Sequence, residues 1–208
     1  MSILGQLAAS LNSSNDEPNK QLAKKIISKK DRAAVKELSE LVFSKDKNIQ
    51  SDCIKVLYEI GESIPELIAD HDKIFIQLLD NKNNRLVWGA MTALDCIAAV
   101  KPVEIHKNLA KILQVADKGS VITKDHGVNI LIKLAAVKKY RNDMLALLLE
   151  QFQHSATNQL PKYAEDSLPV VTDEFKAAFI KVLQLRVEDI EKDTKKKRVE
   201  KMIKKLRA

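Results

Sequence analysis

Aromatic residues are scarce in this chain, at 4% of 208 residues, and Trp88 is the only tryptophan. Glycine and proline number five each, too few to supply the tight turns of many hairpins, and the remainder is rich in helix-favouring Leu, Ala, Lys and Glu. An all-α fold is therefore expected. The two cysteines, Cys53 and Cys96, have neither the number nor the spacing of a disulfide framework or a zinc site, which points to a reducing compartment such as the cytoplasm. No run approaches the ~20 apolar residues of a membrane span. The short apolar stretch from Ile3 to Leu11 is interrupted by Gly5 and Gln6 and follows no basic residue, unlike a secretory signal. His71, His106, His126 and His154 share no HxxxH or HxxE spacing. A GxSxG elbow, a Gly-rich phosphate loop and a Cys beside a candidate base are also missing, so no cofactor or metal is expected and the chain does not read as an enzyme.

What the chain does have is a period. Stepping 37 residues from Leu94 lands on Leu57, Leu131 and Leu168, and from Ile97 on Ile60, Leu134 and Val171. The position of Ala90 stays small throughout, as Cys53, Gly127 and Ala164. A second series, also 37 apart, runs Leu38, Phe75, Ile112 and Leu149, with Leu41, Leu78, Val115 and Phe152 three residues later. Spacing of three within a helix and one fixed step between helices describes one apolar stripe per helix and one stack of helix pairs. No unit of such an array buries its apolar face alone, so neighbours bury it jointly.

Turn chemistry agrees with that register. Asp46, Asn83, Ser120 and Thr157 precede the second helices in one column, and each can accept a hydrogen bond from a first-turn N–H. Pro65 and Pro102 open the first helices of the second and third repeats, where a missing N–H costs little. The expected organisation is 1–30 as N-terminal capping helices, 31–190 as the array of about four helix pairs plus a closing helix, and 191–208 as a basic amphipathic helix. At the front, Ser2–Leu11 is expected to present Leu4, Leu7 and Leu11 on one side, ahead of a helix over 19–29. The closing helix is capped by Thr172 and places Phe175, Phe179 and Val182 on one face.

The net charge of +7 is concentrated at the ends. Residues 192–208 hold nine Lys and Arg against two acids, and residues 1–30 add five Lys against two acids, which leaves the repeat body mildly acidic. Val199, Met202, Ile203 and Leu206 form a stripe beneath the terminal lysines, so that segment is an amphipathic helix.

The helix pairs resemble HEAT or HEAT-like repeats, on Leu78-Leu79, the capping Asn83, Leu86, Ala90, Ala93-Leu94 and Ile97, and an armadillo-type assignment stays open beside it. The resemblance covers roughly residues 31–190. It implies a right-handed α-solenoid. The Arg that such repeats often carry early in the second helix is replaced here by Gln50, Val87, Lys124 and Pro161, and Pro65 lies farther ahead of Leu79 than the spacing of such repeats, which implies longer first helices. Function in such arrays usually lies on the concave surface lined by the second helices.

Residues of those helices that point away from the buried columns are the candidate partner-binding set: Lys55, Arg85, Trp88, Thr92, Asp95, Asp125, Asn129, Lys162, Tyr163 and Asp166. They make a mixed-charge groove, roughly 30–40 Å long at the usual helix spacing, enough for a helix or an extended peptide. Trp88 and Tyr163 are its expected anchors, with Arg85, Asp95, Lys162 and Asp166 setting register. His126 cannot face the adjacent Asp125 on a helix and reads as a surface histidine. The resulting expectation is a non-catalytic scaffold for a protein partner. The alternative is a nucleic-acid binder acting through the basic ends, with Lys195, Lys196, Lys197, Arg198, Lys201, Lys204 and Lys205 as contacts to an anionic partner. A DNA-glycosylase-like enzyme, which the resemblance also brings in, lacks a continuous basic lining here.

Overall fold

Helices begin where short polar side chains can take up free N–H groups. The computed structural model describes residues 2–207, and among these every regular element is helical. They fall into two compact units, divided between Gly127 and Val128.

In the first unit, α1 (Glu17–Lys29) ends at Lys30, whose N–H meets the Ile27 carbonyl and whose left-handed φ of 48° turns the following Asp31 N–H back onto the Ile26 carbonyl. Asp31 then caps α2 (Arg32–Leu41) by accepting from the Ala34 N–H. Asp46 caps α3 (Lys47–Ser63), accepting from Asn48 and Ile49 at 2.8 and 3.4 Å. After α4 (Asp72–Leu78), Asn83 caps α5 (Asn84–Ile97) at 3.1 Å from the Arg85 N–H. Pro65 and Pro102 do not lengthen the first helices as expected. They head separate short pieces, the 3-10 turn Pro65–Leu67 and α6 (Pro102–Lys107), so α4 and α7 (Leu109–Lys118) start afresh behind them. Ser120 precedes α8 (Val121–Ala135) and its hydroxyl accepts the Thr123 N–H at 3.5 Å. The core of this unit lies where α3 packs against α1, α2 and α5, and α4 against α5.

Leu57, Leu94 and Leu131 are fully buried, as are Ile60, Ile97 and Leu134, so three of the four copies hold the 37-residue register. Each such side chain contributes ~1.5–3 kcal/mol by leaving water. The small column has a steric cause: a Cβ on Gly127 would stand 2.8 Å from that of Ala116. Cys53 belongs to the same column. Burial, with Asp52 and Glu37 nearby, pushes its thiol up to about 12, so it acts as a small apolar residue and not as a nucleophile.

The second unit departs from the register. It holds α9 (Arg141–His154), α10 (Leu160–Ser167), α11 (Asp173–Val187) and α12 (Asp193–Arg207), with α11 packed on α9 and α12, and α10 on α12. Leu148, not Leu149, takes the core place, beside Leu145 and Phe152. Leu168 and Val171 are half-buried, in and after a 3-10 turn at Leu168–Val170. Thr157 caps nothing: Pro161 is tolerated only in a first turn, so α10 starts at Leu160. Thr172 precedes α11 as expected, but its hydroxyl makes no cap bond. At the front of the chain, Leu4 and Leu11 face water while Ile3 and Leu7 are buried, so the expected three-leucine stripe is not formed.

Arg186, on α11, closes the end of α9. Its guanidinium donates to the carbonyls of Phe152, Gln153 and Ser155 at 2.6, 2.6 and 2.8 Å, and its Nε to Asp189 at 2.9 Å. A cation there satisfies carbonyls that have no partner within the helix and meets the negative end of its dipole.

Candidate functional site

In the first unit the N-terminal arm is tied across α1 and α3. Asp52 on α3 accepts from the Ala9 N–H through Oδ2 and from Asn19 Nδ2 through Oδ1, both at 2.7 Å. Asn19 in turn accepts from the Ala8 N–H at 2.9 Å. Asn19 is almost wholly buried, and these bonds are what make its amide tolerable there. The arm, α1, α3, α5 and the start of α8 then leave a cleft of about 330 Å³, bordered by Asp16, Asn19, Asp52, Lys55, Tyr58, Arg85, Trp88 and Thr92. A more polar hollow of about 670 Å³ shares Asp16, Asp52 and Arg85 and is walled by residues 12–15 of the arm, Asp46 and Asn48.

The charges along this cleft are unequal in their commitments. Lys55 meets Glu59 one turn away, lies 3.5 Å from Asp16 Oδ2, and stands 4.8 Å above the Tyr58 ring. Burial acts to lower its pKa, but hydrogen bonding to Glu59 and Tyr58 outweighs that and raises it above the usual lysine range. Lys55 is thus a fixed cation. Arg85 is exposed and has no ion-pair partner among the described residues. Trp88, one turn further along α5, is 37% exposed at the mouth.

Behind Trp88 sits a polar cluster that the sequence assigns to the open groove. His126, on α8, lies 2.8 Å from Asp95 through Nδ1 and 2.9 Å from the Thr92 hydroxyl through Nε2, and that hydroxyl also donates to the Trp88 carbonyl at 3.0 Å. Thr92 and Asp95 are only 9% and 6% exposed. His126 is therefore not a free surface histidine: it ties α8 to α5. The order Thr–His–Asp matches a nucleophile with its base, but Thr92 lies in mid-helix, where backbone N–H groups are used by the helix and cannot form an oxyanion hole. The arrangement braces the backbone that carries Trp88.

The structure therefore gathers Lys55, Arg85, Trp88 and Thr92 around one cleft and turns Asp95 inward behind it. Asp125 is half-buried and engaged in polar contacts. Asn129, Lys162, Tyr163 and Asp166 belong to the second unit. There Lys162 and Asp166 pair with each other at 2.9 Å on the exposed side of α10. Tyr163 corrects the expectation of an exposed anchor: it is 1% exposed and its hydroxyl accepts from Gln159 Nε2 at 2.8 Å. Residue 163 falls in the 37-residue column of Gly89, which is itself buried.

On α12 the stripe of Val199, Met202, Ile203 and Leu206 is buried within its own unit, facing α10 and α11. Arg198 reaches Glu165 of α10 and Lys196 reaches Glu188 at 2.9 Å, so these two of the seven terminal cations are committed to ion pairs. Lys195 is half-buried, whereas Lys197, Lys201, Lys204 and Lys205 are exposed. Among the described residues no helix is long and apolar enough to cross a membrane.

No family model and no curated protein sequence matches the chain. Solved structures do. An engineered protein is similar at 16% identity and TM-score 0.65, over 100% of this chain and 97% of its own. A designed armadillo repeat protein in complex with the peptide (KR)4 is similar at 14% identity and TM-score 0.66, over 99% of both chains. A computationally designed armadillo repeat protein for modular peptide recognition is similar at 13% identity and TM-score 0.66, over 98% and 99%. This chain thus has an all-α, armadillo/HEAT-like helical-repeat fold.

Proposed function

We propose that the protein is a binding scaffold for a protein partner and that the cleft beside Trp88 takes an extended peptide or a helix edge of that partner. The observation that carries this reading is the placement of a half-exposed Trp, the residue type most enriched at binding hot spots, at the mouth of a cleft bearing both charge signs on rigid helices. A cleft of about 330 Å³ suits one or two anchoring side chains, and the adjoining polar hollow suits the backbone and polar groups that follow. Arg85 is free to pair with a carboxylate on the partner. Structural neighbours made for peptide recognition, one of them holding a peptide, support the same use of the fold. The free cysteines fit a reducing compartment such as the cytoplasm.

The test is selection of binders from a random peptide display library, followed by calorimetry on the selected peptides. Trp88→Ala is expected to weaken them at least about tenfold, the loss of a modest hot spot. Its melting temperature is expected to stay within a few degrees of the parent. Peptides that bind the parent and the variant equally would sink the reading.

A further inference from the structure

We propose that the outer face of α12 is a binding surface for the phosphate backbone of nucleic acid, separate from the Trp88 cleft. Lys197, Lys201, Lys204 and Lys205 follow one another at helical spacing on the side turned away from the buried stripe. They span ~12 Å of helix axis, a length over which duplex DNA presents a phosphate every ~1.7 Å. Among the described residues none of the four has an ion-pair partner, and the nearby acids are already matched: Glu165 with Arg198, Asp166 with Lys162, Glu188 with Lys196. On the helix itself only Asp193 and Glu200 oppose them. The face is thus a set of mobile point charges on a rigid support, suited to phosphates and indifferent to base sequence. An anionic membrane is the poorer match, because the apolar side chains of α12 are buried against α10 and α11 and none is left to insert.

The experiment is fluorescence anisotropy on the full chain with a labelled random-sequence duplex of about 20 base pairs, titrated between about 50 and 200 mM NaCl. Four phosphate contacts give a log–log salt slope of about −3.6, so affinity is expected to fall roughly 150-fold over that range. Replacing the four lysines together (Lys197→Gln, Lys201→Gln, Lys204→Gln, Lys205→Gln) is expected to abolish binding, with an unchanged circular-dichroism melt showing that α12 is still in place. A control carrying Lys24→Gln, Lys25→Gln and Lys29→Gln on α1 is expected to bind as the parent does. The proposal is overturned if the parent gives no signal at the lowest salt, if the quadruple variant binds normally, if the α1 control loses binding, or if phosphatidylserine vesicles are captured and the duplex is not.

Discussion

Glu165 and Arg198 meet as a fork, with Nε 2.9 Å from one carboxylate oxygen and Nη2 2.6 Å from the other. The pair fastens α12 to α10. The guanidinium holds Glu165 below the usual carboxylate range, so its share of stability is present above the unfolded-state pKa and is lost as pH falls through the lower folded-state value. The pair is partly exposed, which limits that share to ~0.2–1 kcal/mol. Denaturant unfolding at neutral pH is expected to show Glu165→Gln less stable than the parent by that amount, with the difference vanishing in strong acid. A gap that persisted there would assign the loss to packing.

Arg186 gives a larger effect. Its guanidinium serves three carbonyls at the end of α9, and a lysine can reach only part of that set from a single nitrogen. Arg186→Ala is expected to cost ~1.5–3 kcal/mol, the usual range for hydrogen bonds to a charged group. Arg186→Lys should recover less than half of it in the same chemical-denaturation experiment.

The brace of His126 on Asp95 and Thr92 predicts non-additivity. A double-mutant cycle of His126→Ala with Asp95→Asn is expected to return a coupling of ~1–3 kcal/mol, because either change alone strands a buried polar partner. Zero coupling would mean that the two side chains touch without stabilising each other.

Asp52 predicts the behaviour of the arm. Asp52→Ala leaves the Ala9 N–H and the Asn19 amide without their acceptor, at ~1–3 kcal/mol for stranded buried donors. Limited proteolysis should then cut within residues 8–15 long before the helices, whereas the parent arm resists; equal cleavage rates would remove the clasp from the account.

Leu57, Leu94 and Leu131 are legible because the step that links them also links Ile60, Ile97 and Leu134 three residues on, and both columns are buried together. Around Leu149 three leucines run in succession, and packing takes Leu148 where arithmetic picks its neighbour. Tyr163 is misplaced because its column looks open in sequence, whereas Gly89, two periods earlier in that column, is already buried. The roles of Asp52, His126 and Arg186 leave no trace in periodicity. Each binds a group more than thirty residues away, and a polar side chain on a helix face looks the same in sequence whether its partner is water or a distant part of the chain.

Trp88, as the sole indole of the chain, makes the protein its own fluorophore. Excitation at the red edge of the near-ultraviolet band reads the mouth of the cleft with no added dye, and a quencher such as iodide or acrylamide grades how far a bound segment covers it. The same fact narrows what emission can say about unfolding. The intensity follows α5 and its surroundings, while α9 to α12 carry no Trp, so a second unit that melted first would pass unseen unless ellipticity were recorded alongside.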